Sequence, residues 1–144
     1  MNGHFRTLED YELFLYSLAE RFTSIRLSTL TWVRRGASLG RVAGELHFDH
    51  DFRLVVRERI VFDRLPLVID GYGYEIWRGH EKLFWYDPQP HPDDATLRAT
   101  HPHHKHVPPD IKHHRLPAPQ MSFTRPNLPV LIEEIEGLIA DLRA

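Results

Sequence analysis

Seven of the eleven histidines fall between His91 and His114, and four crowd into His101-Pro102-His103-His104-Lys105-His106. Imidazole titrates close to neutral pH, with an unperturbed pKa of about 6.5, so it can pass protons, ligate metal or hydrogen-bond phosphate. In an extended chain His101 and His103 point one way, His104 and His106 the other. Either pair could chelate a divalent metal, with Asp87 or Glu58 as a third ligand. Equally, one imidazole could act as base and another as acid in phosphodiester cleavage, with Lys105 holding the phosphate and no cofactor required. Positioned groups of that kind contribute about 10²–10⁴ each in rate. The bland alternative is a solvated loop that binds metal only adventitiously, or a non-catalytic module that recognises protein or nucleic acid.

Three further groups of residues could serve such chemistry. The run Trp85-Tyr86-Asp87-Pro88-Gln89-Pro90-His91-Pro92 ends a strand and turns under proline control. Asp87 and His91 sit four apart across that turn, and a carboxylate beside an imidazole fixes its tautomer and raises its pKa. Tyr72 and Tyr74, two apart, share one strand face and offer stacking for a base or a phenol for phosphate. Arg57 suits phosphate. Glu58 interrupts a face otherwise made of Leu54, Val56, Ile60 and Phe62, and a carboxylate there needs a partner, either an arginine or one of the imidazoles.

The elements that must position these groups follow from periodicity. Thr7 caps a helix whose apolar residues Leu8, Tyr11, Leu15, Leu18 and Phe22 recur at helical spacing; it should end near Arg21. From Ser24 the period becomes two, giving expected strands over 24–34, 41–48, 52–62, 68–78 and 82–87, joined by short turns. Asn127 caps a last helix with an apolar stripe of Leu128, Leu131, Ile132, Ile135, Leu138, Ile139 and Leu142. The expectation is α+β: one antiparallel meander of about five strands, with an N-terminal and a C-terminal helix on one face. A single domain over 1–144 carries a His/Pro-rich loop at 88–119.

Bulk properties exclude several classes. Without cysteine there is no disulfide and no thiolate metal site, which fits a reducing cytoplasm. No apolar run approaches the roughly 18–20 residues of a membrane span, and no secretory signal opens the chain. The formal net charge of −2 argues against a wholly basic nucleic-acid binder. Yet there are 15 Arg to 3 Lys, and eight of the arginines lie between Arg26 and Arg64, so one face of the central region is expected to be locally positive. Phosphate-loop, GxSxG and HExxH signatures are absent.

The order of features, VVRERIVF, YGYEI, WYDPQPHP, PHHKH and then an amphipathic helix, resembles the TumE-type toxins of bacterial toxin–antitoxin pairs. The resemblance covers roughly residues 45–140. The family motifs fall on Glu58, Tyr74, Tyr86, Asp87, His91, His103, His104, Lys105 and His106, with Tyr86 and Glu58 in orienting roles. There are two departures. Pro88 and Gln89 stand where the family commonly has an asparagine, and the stretch from Asp93 to Thr100 is long. The resemblance implies a cytoplasmic toxin with a cognate antitoxin. It supplies no mechanism. The leading expectation is a toxin that acts on RNA through its histidines, as an endoribonuclease; homo-oligomers are compatible with it.

Overall fold

A computed structural model describes residues 5–143. Thr7, in extended backbone, accepts from the Asp10 N–H at 3.1 Å and starts α1, Leu8–Tyr16. Helix α1 and α2, Leu18–Arg21, are separated at Ser17, whose hydroxyl bonds the Phe14 carbonyl; the single helix expected from periodicity is therefore broken. Strands follow: β1 Leu27–Ser28, β2 Thr31–Arg35, β3 Leu39–His47, β4 Phe52–Val61, β5 Val68–Arg78 and β6 Glu81–Asp87. A 3-10 turn spans Ala95–Thr100. Then come β7 His104–His106, β8 Arg115–Pro117 and α3 Leu128–Leu142.

All eight strands join one antiparallel sheet in the order β1-β3-β4-β5-β6-β7-β8, with β2 also paired to β3. The α+β architecture is as the sequence predicts, but eight strands replace about five. Two physical reasons account for the difference. The stretch 24–34 is not one strand: Leu30 turns into the core, and Thr29 closes on Gly44, where a Cβ would meet the Thr29 carbonyl oxygen at 2.5 Å. Gly44 has φ +141, a conformation that favours glycine. The expected loop at 88–119 also contains two strands. Its prolines flank β7 rather than interrupt it, and Pro117 sits on the edge strand, where a missing N–H costs nothing.

Register sorts the side chains into two faces. Val56, Tyr74, Tyr86 and Lys105 lie in one row across β4 to β7, toward the helices. Val55, Glu75, Trp85 and His106 lie in the next row, on the opposite face. Both helices cover the first face: Tyr11 of α1 bonds Glu58, and Glu134 of α3 accepts from Tyr86 at 2.6 Å. Asn127 does not cap α3 with its side chain. It is fully buried, accepting from the Ser122 N–H and donating to the Ser122 carbonyl and the Tyr74 hydroxyl.

Glu58 is 4 % exposed and accepts hydrogen bonds from Tyr11 and Tyr74. Burial pushes its carboxyl above the ordinary range, and the two phenol donors oppose this only partly. Burial and the neighbouring carboxylate hold both phenols well above theirs. A raised carboxyl pKa contributes stability that is complete below the unfolded value, 4.5, and is lost as pH rises through the folded value. Glu58→Gln should therefore gain on the wild type with rising pH, by about 1.4 kcal/mol per pKa unit removed. Glu58→Ala should cost about 2–4 kcal/mol, because two buried hydroxyls lose their acceptor. Urea unfolding of the three proteins from pH 4 to 8 measures this; a pH-independent gap between wild type and Glu58→Gln would refute it.

Candidate functional site

Pairing of β6 with β7 sets Asp87 opposite His104 and Trp85 opposite His106. Strand alternation projects all four from the face turned away from the helices. There Asp87 Oδ1 lies 3.1 Å from His104 Nε2, Asp87 Oδ2 lies 3.2 Å from His106 Nε2, and the two Nε2 atoms are 3.1 Å apart. The three residues are 9 %, 1 % and 4 % exposed, so this is a buried cluster rather than a solvated loop.

His104 Nδ1 sits 3.1 Å from the Pro102 carbonyl oxygen. A carbonyl only accepts, so Nδ1 carries a hydrogen, and the ring turns Nε2 toward Asp87 and His106. Two imidazole nitrogens and a carboxylate can converge this closely only with a proton or a cation among them. The candidate ligand atoms lie within 4.8 Å of one another. Atoms bound at about 2.0–2.2 Å to a zinc-sized ion stand about 3–3.5 Å apart, which the observed spacing matches. Only three protein ligands would leave positions open for water or substrate.

The surrounding charges are consistent with this. Burial raises Asp87, but the hydrogen bond from His104, the Gln89 N–H and the charges of both histidines outweigh it, so its pKa falls below the ordinary value. Burial lowers His106, against the pull of Asp87. His106 stacks on Trp85 with centroids 4.2 Å apart. His91 stands edge-on to His104 at 4.8 Å, lowered by burial, Arg115 and His104. The long stretch before the histidine block does not displace it: residues 95–100 coil into the 3-10 turn and bury Leu97. A cleft of about 530 Å³ opens beside His91, between Pro92, Asp94 and Arg115.

Arg57 shares the cluster's sheet face. Its partner across β4 and β5 is Gly73, and continuing the β5–β6 register by one residue sets Gly73 beside Asp87. The guanidinium folds over the glycine: a Cβ at Gly73 would stand 2.9 Å from Arg57 Nη2.

The other expected site residues lie elsewhere. Tyr74 is fully buried and Tyr72 is 8 % exposed, so neither presents a ring to a base. Glu58 lies on the helix face, bonded to tyrosines, and orients no imidazole. Lys105 also points to the helices, where it pairs with Glu134 and lies 4.0 Å over the Phe84 ring; that carboxylate, not phosphate, holds it. Tyr86 shares Glu134. His103 stacks on Tyr72, with Nδ1 2.5 Å from its hydroxyl, and burial lowers its pKa. His101 is exposed and joins none of these groups. Sequence reasoning missed Arg115, which β8 brings beside His106, and Glu134 as the anchor for Lys105. Trp85 was legible: Trp85-x-Asp87 and His104-x-His106 share one alternation.

A family comparison is consistent with the same region. The model of the family described as Toxin TumE matches residues 15–139, nearly the whole chain. The chain belongs to the TumE toxin family. No curated protein and no solved structure matches at a significant level. The match takes in the whole Asp87–His104–His106 cluster of this TumE toxin. Among the described residues no helix is long and apolar enough to cross a membrane.

If the cluster is the working centre, Asp87→Asn, which keeps the side-chain shape, should relieve growth inhibition by at least about 10-fold in plating efficiency, as losses around metal ligands do. His101→Ala should leave inhibition unchanged. Plating under induction, with melting curves to verify folding, checks both; a folded Asp87→Asn protein with full toxicity would move the centre elsewhere.

Proposed function

We propose that this toxin cuts RNA by metal-assisted hydrolysis at Asp87, His104 and His106, and that a cognate antitoxin restrains it. The observation that carries the reading is the convergence of one carboxylate and two Nε2 atoms, with His104 Nδ1 tied back to the Pro102 carbonyl. Zinc and manganese suit two imidazoles and a carboxylate. A divalent cation there would polarise the phosphate and lower the pKa of a water to about 7.

The protein's own residues then have distinct tasks. Asp87 and the two histidines would hold the cation. Trp85 fixes the His106 ring by stacking. Arg57, folded over Gly73, neutralises a non-bridging phosphate oxygen. The oxygen of a water would bond to phosphorus, its proton passing to bulk solvent, as the bond to one ribose oxygen breaks. His91, at the mouth of the cluster, gives that oxygen its proton.

A second reading uses the same residues without metal. The 3.1 Å contact between the Nε2 atoms is hydrogen-bond length, so His104 and His106 can share a proton over Asp87 and act as acid and base. This reading needs an imidazole nitrogen turned to substrate, and both nitrogens of His104 are engaged within the protein. The metal reading has no such difficulty.

Untagged protein should retain stoichiometric metal after dialysis, and a chelator should lower its melting temperature, since an ion bound only by the folded state stabilises it. RNA cleavage should cease with chelator, return on adding zinc or manganese, and fall about 10²-fold or more in Asp87→Asn. Chelator-insensitive cleavage would hand the site to the acid–base reading. Intact RNA with folded, metal-loaded protein would overturn both.

A further inference from the structure

The sheet face that carries the cluster continues past Arg57 into a second feature. β4 pairs Arg59 with Gly71, and β3 pairs Arg41 with Arg59. Ala43, Gly71 and Gly73 form a floor with little or no side chain. Around it the three guanidiniums of Arg41, Arg57 and Arg59 border a shallow groove of about 280 Å³. Arg57 and Arg59 have exposed side chains, 65 % and 55 %. They stand two residues apart on one strand face, about 6.8 Å. Arg41 has no ion pair among the described residues. Arg59 meets Asp70 at 3.0 Å and Arg57 approaches Glu75 at 4.0 Å, so each is only partly neutralised and keeps N–H groups free.

We infer that the groove over Gly71 and Gly73, bordered by Arg41, Arg57 and Arg59, is the track on which single-stranded RNA lays successive phosphates as it enters the Asp87–His104–His106 cluster. The inference rests on the proposed RNA cleavage and adds the path and the strandedness of the substrate. Register supplies the path. Arg57, Gly73, Asp87 and His104 form one row across four strands, and Arg59 and Gly71 lie in the adjacent row. Charge supplies the ligand class: clustered guanidiniums over an open floor match a polyanion. Burial supplies the strandedness. The cluster is recessed to under a tenth exposure, so one phosphate must descend while its neighbours stay on the arginines. A flexible single strand bends that way; a rigid duplex does not.

The test uses two substrates for each protein: a fluorescently labelled single-stranded 12-mer RNA, and bis(4-nitrophenyl) phosphate, whose single phosphate cannot occupy the cluster and the arginine groove together. Binding is read by anisotropy in the Asp87→Asn background so that the RNA stays intact. Arg41→Ala and Arg59→Ala should each weaken RNA binding several-fold and reduce the salt slope by about 0.7 per lost contact. Gly71→Leu should do the same by filling the floor; nothing lies within 4 Å of a Cβ there, so the fold tolerates it. With Asp87 intact, all three variants should hydrolyse the small diester at the wild-type rate. Arg21→Ala, on α2, should bind RNA as the wild type does. Groove variants that bind RNA normally, or that lose RNA and small diester alike, overturn the track. Duplex RNA or single-stranded DNA bound more tightly than single-stranded RNA overturns it as well. Failure to hydrolyse either substrate refutes the cleavage reading separately, while the binding series still decides the groove.

Discussion

Three backbone pairings hold the site: Trp85 with His106, Tyr86 with Lys105, and Asp87 with His104. A strand of three residues has little to fix its register, and a slip of one residue would send both histidines to the helix face. The middle residue prevents this. Lys105 pairs with Glu134 of α3, which also takes the Tyr86 hydroxyl, and its ammonium lies over the Phe84 and Tyr86 rings. A partly buried ion pair of this kind is worth roughly 1 kcal/mol. Its larger effect is geometric: anchoring Lys105 to the helix aims its two neighbours, His104 and His106, at Asp87.

The same sheet keeps two polar systems apart. On the helix side Glu58, Tyr11, Tyr74 and Asn127 bond to one another inside the core, far from solvent. On the other side Asp87 and the histidines lie at the surface end of their strands, recessed but adjacent to open clefts. A carboxylate in each system has its pKa moved in the opposite direction, up at Glu58 by burial and down at Asp87 by imidazole. The first is a structural network whose contribution to stability falls as pH rises through the Glu58 pKa. The second gathers one carboxylate and two imidazole nitrogens at a single point.

Glycine has a specific use on the open face. Gly73 lies between Arg57 and Asp87, and a Cβ there would stand 2.9 Å from Arg57 Nη2, so the guanidinium would have to move aside. The absence of a Cβ lets one arginine reach across a strand toward the cluster. Gly71, one row along, keeps the floor flat beside Arg59 and Arg41. The exposed face is thus neither a random charged surface nor a packing surface.

The sequence by itself determined much of this. Period-two alternation marked β3 to β6, the apolar stripe marked α3, and the spacing of His104 and His106 put both on one strand face. The motif order led to the TumE family. These are local patterns, and local patterns survive in one dimension. Other features depended on which strand lies beside which. Glu58 was legible as an oddity on an apolar face, but its tyrosine partners come from α1 and β5, 47 and 16 residues away. Lys105 read as a phosphate ligand because nothing nearby in sequence balances it; Glu134 does so from 29 residues on. That Asp87 faces His104 and His106 while His101 and His103 do not was settled only by the pairing of β6 with β7. Proline density suggested a loop there, and the sheet edge found a strand because hydrogen bonding to β6 outweighs what the flanking prolines forbid.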